Sequence, residues 1–338
     1  VNDDANPLGP TDPYSTGSTI NATGREGGGS ITISSTGSVL AMELTRLDAS
    51  GVVDGSGGTV DLLANGGSAV LYGDIGALSG KVSGNGGRIR IGALDGIVQD
   101  QGSISASAVG NGGQVGLVTS NGDIVLTDVE AYGRVDGGSI VASSAGGIYV
   151  YGDVNVHGLY GDGGTISFLA QGEFYGAGTF DAGGGANGGS IYVGGSTTDP
   201  TEAAVRISGT IDASGGSGDG GIVDLEGNGG IRFEGDIYAQ GGTNGGQVYL
   251  HETGPNNYGI SLEATVDASG TNGSGGLIDI HATGDVYANE LLAWGGIDGG
   301  DISVIGAAVD FYSAIAYGDA GIGGSVAITA DNIFLTSY

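Results

Sequence analysis

A Gly-Gly pair, one intervening residue and an apolar-x-apolar triplet recur along the whole chain. The first glycine of the pair falls at 28, 57, 86, 112, 137, 163, 188, 220, 245, 275, 299 and 323. The intervals are 29, 29, 26, 25, 26, 25, 32, 25, 30, 24 and 24 residues. A repeat of roughly 20 to 50 residues sustained along a chain is the signature of a solenoid, in which each repeat cannot bury its apolar face alone and stacks on its neighbours. The triplets include Ile31/Ile33, Ile191/Val193, Val223/Leu225 and Val248/Leu250. Two-residue spacing places both members on one face of a strand.

Two further apolar runs follow within each interval. The second includes Val70/Tyr72, Ile124/Leu126, Ile148/Val150, Val205/Ile207, Ile231/Phe233 and Ile260/Leu262. The third is mostly a single aliphatic or aromatic residue, as at Ile75, Ile104, Val154, Phe180, Ile211, Ile237, Val266 and Ile315. Gly, Asn, Asp and Ser lie between the runs and tolerate the positive backbone angles of sharp corners. Nothing is periodic enough over a sufficient length for a helix. The expectation is an all-β chain: a parallel β-helix, or β-solenoid, of about 12 coils with three short strands per coil. Counterpart residues then meet about 4.8 Å apart, giving a rod on the order of 60 Å long. Each inward aliphatic contributes roughly 1.5–3 kcal/mol, against roughly 1–2 kcal/mol per residue for ordering the backbone, so a single coil is not self-sustaining.

Composition removes the competing classes. The 338 residues include 77 glycines but 5 prolines and no cysteine. Collagen requires glycine at every third position with abundant proline. Disorder requires few apolar residues, whereas 39% of this chain is hydrophobic. Without cysteine there is no disulfide framework from which to read a redox compartment. The net charge of −30 repels nucleic acid and anionic lipid, so neither is expected as a partner. No signal peptide or membrane-spanning run is evident, and no membrane insertion is expected. A start at Val1 fits a processed form or an excised piece.

Residues 1–26 lack the repeat and carry Pro7, Pro10 and Pro13, which disfavour central strands. They are read as an extended N-terminal segment, with 27–338 as the parallel β-helix. Two roles stay open for the segment: a leader or cap, or an arm that docks on a neighbouring subunit by strand addition. At the other end Val326/Ile328, Ile333, Phe334 and Leu335 continue the apolar runs without a polar cap, and an open solenoid edge invites another copy.

The Gly-Ser-Ile-x-Ile segments, the Ile/Val-Asp-Ala-Ser-Gly motifs at 211–215 and 266–270, the variant at 47–51, and Gly-Asp-Ile/Val at 122, 235 and 284 resemble the filamentous-haemagglutinin-like repeat proteins of bacterial surfaces. The resemblance covers about residues 27–335. It implies a right-handed β-helix, an extracellular or cell-surface location, and roles in adhesion, biofilm or fibres. The expected function is a structural subunit of an extracellular filament or surface fibre, joined head to tail, with the chain itself as principal partner. The alternative is a non-polymerising adhesin or carbohydrate-binding rod whose partner is a cell-surface or environmental polysaccharide. A polysaccharide-active enzyme comes third, and the chain is expected not to be an enzyme.

Stacking aligns particular surface residues. Asp224, Tyr249 and Asp279 become consecutive outward residues, and two carboxylates two coils apart are the raw material of glycosidic acid–base chemistry. Glu226, His251 and His281 share the next outward position, a carboxylate and two imidazoles of the kind zinc uses. Turn carboxylates such as Asp54, Asp162, Asp219 and Asp298 have the oxygen chemistry of calcium ligands. Asp219, Glu226, His251 and His281 are therefore the metal candidates, with calcium the one ion retained as a candidate cofactor and no other expected. Their plain alternative is a solvated polar surface. Tyr149, Tyr151, Tyr192, Tyr238, Tyr249 and Tyr287 alternate away from the inward columns, which suits lateral packing of rods or stacking on sugars. Asn21 and Asn272 head glycosylation-type sequons.

Overall fold

The computed structural model describes residues 19–41, 46–199, 202–254 and 258–335. Every described element is a β-strand, and every strand pairing is parallel. One sheet of 12 strands contains all the Gly-Gly triplets; a second of 21 strands carries the other two runs. Three long strands of the second sheet, Ile260–Asp267, Val286–Leu292 and Ala308–Ile315, each serve both runs. Among the described residues the solenoid thus has three faces with twelve strands on each. A representative coil has Ile222–Asn228 on the first face, Ile231–Phe233 on the second and Ile237–Tyr238 on the third.

Ile191 pairs with Val223 and Val223 with Val248, while Val193, Leu225 and Leu250 make the parallel column beside them. All six are fully buried. The same register runs from Ile31 to Val326 without a slip. Side-chain size is matched inside. Phe168 sits on the small Ala142 and meets Phe174 and Phe180 at centroid distances of 5.8 and 6.1 Å. Gly176 makes room for them, since a Cβ there would lie 2.7 Å from the Phe180 ring.

The phase of two runs differs from the sequence reading. Ala69 and Leu71 are the buried pair, and Val70 lies between them on the outer side. Likewise Ala314 continues the third inward column under Leu291, and Ile315 pairs with Leu292 on the outside. Both stretches are apolar at every position, so alternation cannot fix which residues face in.

The glycine pairs also work differently from expectation. Positive φ occurs at Gly84, Gly102, Gly229, Gly230 and Gly259, none of which belongs to the repeated pairs. The pairs instead permit close approach. The second glycine donates to the carbonyl of a residue at the preceding corner, alanine in every described coil but that of Val156, as Gly221 does to Ala213 and Gly246 to Ala239, both at 2.7 Å. A Cβ on the first glycine would collide with that same hydrogen bond one coil on: at Gly188 it would strike the Ala213 carbonyl and the Gly221 amide.

The motif Ile211-Asp212-Ala213-Ser214-Gly215 combines these requirements. Ile211 and Ala213 are buried, Asp212 Oδ1 accepts from the Ser214 amide at 2.8 Å, and Gly215 joins a corner column from Gly133 to Gly318.

Residues 1–18, with Pro7, Pro10 and Pro13, lie outside the described residues, and so does any arm they form. Thr19–Asn21 is a strand paired in register with Arg46–Asp48, so parallel stacking already begins ahead of the first Gly-Gly pair. Ile20 is its exposed rung at 46%, whereas Ile31 is only 5% exposed. In the last described coil Val326 and Ile333 are 45% and 49% exposed, although their counterparts Ile302 and Val309 are buried. Among the described residues no helix is long and apolar enough to cross a membrane.

Candidate functional site

On the first face, strand alternation points Tyr192, Asp224, Tyr249 and Asp279 outward in four successive coils. Two residues further along, Glu226, His251 and His281 are likewise consecutive. The expected alignments are therefore present, and their contacts define what they do. The Tyr192 hydroxyl donates to Glu226 at 2.8 Å. Partial burial and that contact push the Tyr192 pKa up to about 12. Burial, followed by the Glu226 charge, also raises the Asp224 carboxyl, with His251 opposing. Asp224 Oδ1 is shut from solvent and has no hydrogen bond. His251 Nε2 lies 3.4 Å from Asp279, and its ring meets those of Tyr249 and His281 edge to face at 6.0 and 6.3 Å. His157, elsewhere, contacts Asp181 at 3.1 Å and stacks on Tyr132.

Glu226, His251 and His281 adjoin, but Asp219 occupies the corner between the third and first faces. Among the described residues no group of three His, Cys, Asp or Glu side chains is placed to hold a metal. Asp219 instead belongs to a ladder in which each side chain accepts from the next coil's backbone. Asp136 accepts from the Asp162 amide, Asp162 from Asn187, Asn187 from Asp219, and Asp219 from Asn244, at 2.9–3.2 Å. Asp298 does the same for Ile322 at 2.8 Å. Turn-forming residues at a fixed repeat position thus satisfy corner amides that the strand ladders leave unpaired.

Sequence reading missed Glu252. It is 2% exposed and accepts from Gly254 at 2.7 Å, from the Thr283 amide at 2.8 Å and from the Thr283 hydroxyl at 2.6 Å. Its place two residues beyond the inward Leu250 was a readable sign that the side chain points inside.

The second face carries a different surface. Its outward residues in four successive coils are Tyr149, Tyr175, Arg206 and Arg232. Two of the eight Lys and Arg residues in the chain thus adjoin on this strip. Arg206 pairs with Glu202 at 2.9 Å and Arg232 with Glu234 at 2.7 Å. Sequence reading noted Tyr149 and Tyr151 but missed Tyr175 and both arginines. The signal was the central residue of Val205-Arg206-Ile207 and Ile231-Arg232-Phe233, which strand alternation turns outward.

No family model, curated protein or solved structure matches this chain. Its chemistry therefore rests on the geometry just described.

Proposed function

We propose that the chain is a structural rod of an extracellular filament or surface fibre, with copies joined end to end. The observation that carries this reading is the carboxyl-side face of the last described coil. There Val326 and Ile333 stand exposed in columns whose preceding rungs are buried under the next coil. A surface so shaped is matched by another coil of the same pattern. The Thr19–Asn21 strand of a following copy has a seat on the third-face run ending at Ile315, and Ser30–Ser35 has one on Ser325–Thr329. A head-to-tail contact of this kind is heterologous and propagates unless rotation closes it. The net charge of −30 favours dispersed over bundled filaments by mutual repulsion. The likeness to filamentous-haemagglutinin-like repeat proteins agrees with a surface or extracellular setting.

Gly323 provides the test. It is the first glycine of the last pair, and a Cβ there would have nothing within 4 Å, whereas the equivalent Gly299 is crowded by the following coil. Gly323→Val leaves an isolated rod intact but obstructs a second copy. Electron microscopy of the purified protein is expected to show long uniform fibres, and the variant to show separate rods with unchanged thermal unfolding. Separate rods from the unmodified protein at every concentration would overturn the proposal, as would normal fibres from the variant.

A further inference from the structure

The second face has the shape and chemistry of a ligand groove. One recess of about 350 Å³ is lined by Tyr149, Tyr151, Glu173, Phe174, Tyr175 and Arg206. Another of about 120 Å³ is lined by Tyr175, Arg206, Arg232 and Glu234. They share Tyr175 and Arg206, so together they form one trough running along the rod across four coils. Each step is about 4.8 Å. Tyr151 leans on Tyr175 with centroids 5.7 Å apart and planes inclined at 51°, offering ring faces at two orientations. Arg232 Nε is closed off from solvent and makes no hydrogen bond.

We propose that this trough binds a neutral polysaccharide chain laid parallel to the rod axis. Tyrosine rings offer broad apolar faces with a polar tip, which suits the alternating apolar and hydroxyl-bearing surfaces of sugar rings. The Arg206–Glu202 and Arg232–Glu234 pairs hold planar donors and acceptors side by side, as adjacent sugar hydroxyls require. Charge selects the class of glycan. Both guanidiniums are already matched by carboxylates, and the chain's charge of −30 repels anionic glycans. A trough crossing several coils suits an extended chain better than a single sugar. The site lies on the flank of the rod and leaves its ends free, so it stands whether or not copies polymerise.

A glycan array carrying neutral and uronate-containing chains of several lengths tests the assignment, followed by calorimetric titration with the tightest neutral oligosaccharide. Neutral chains are expected to bind, longer ones more tightly. Tyr175→Ala is expected to weaken binding about tenfold, in line with the loss of an aromatic contact. Arg206→Gln, a smaller change with less influence on folding, is expected to weaken it as well. Tyr160→Ala, which removes an exposed ring outside the trough, is expected to bind normally. The proposal is overturned if no neutral chain binds, if only uronate chains bind, or if both trough variants retain full affinity. It is also overturned if Tyr175→Ala abolishes side-by-side association of rods while glycan binding is unchanged, because the tyrosines would then be a packing surface between copies.

Discussion

The Asp219 amide donates to Asn187 Oδ1 at 2.9 Å, and one coil later Asp219 Oδ1 accepts from the Asn244 amide and side chain at 3.2 and 2.8 Å. Each member of the pair therefore satisfies its successor. Asp219→Asn keeps the accepting oxygen and is expected to change stability by less than about 0.5 kcal/mol. Asp219→Ala removes it and is expected to cost about 1 kcal/mol. Denaturant unfolding of the two variants checks the difference.

The repeated glycines lead to a paired prediction. Gly188→Ala forces a Cβ into the Ala213–Gly221 hydrogen bond of the next coil, and the backbone has to move. Gly116, on the outer side of the first face, has nothing within 4 Å of its Cβ position. Gly116→Ala is expected to be neutral or to stabilise by about 0.4–1 kcal/mol through the unfolded chain, whereas Gly188→Ala is expected to destabilise by more than that. Unfolding midpoints of the two variants measure the contrast, and equal effects would contradict close approach as the reason for the pairs.

Glu252 is the buried carboxylate most committed to structure. Its Oε2 accepts from both the amide and the hydroxyl of Thr283, while Oε1 accepts from Gly254. Glu252→Gln replaces one accepting oxygen with a donor facing donors. A loss of about 1–3 kcal/mol is expected, read by denaturant unfolding. Glu226→Gln, on the outer surface, is the matched control and is expected to have a much smaller effect.

Asp224 gives stability a pH dependence of known sign. Burial and Glu226 raise its folded pKa above the ordinary 3.8, so the folded state holds the proton more tightly than the unfolded chain. At neutral pH the ionised carboxylate opposes folding, and this opposition fades as pH falls through the raised value. Asp224→Asn is therefore expected to be more stable than the unmodified protein at about pH 7, with the advantage shrinking near pH 3. Tyr192, pushed up to about 12 from 10.0, favours the folded state below its unfolded pKa and loses that contribution as pH climbs through the folded value. Melting curves across the range read both effects.

The first face was legible because Val-x-Leu and Ile-x-Ile triplets allow only one phase once their glycines are aligned. Ala69-Val70-Leu71-Tyr72 and Ala314-Ile315-Ala316 allow two, and there register is set by stacking on Val39, Ile97 and Leu291. Glycine count signalled corners but not their cause, since close approach depends on a carbonyl one coil away. The alignment of Glu226, His251 and His281 was readable from repeat position. The outward turn of Tyr149, Tyr175, Arg206 and Arg232 was readable from strand alternation, but their meeting in one trough was not, because the intervals between those coils differ in length.

Helical reconstruction of the filaments tests most directly whether coils stack between copies as they do within one. The expected map shows layers about 4.8 Å apart, continuous through each junction, with Val326 covered by the next copy's first-face strand. Separate rods, lateral bundles, or a gap in the layers at each junction would contradict end-to-end stacking.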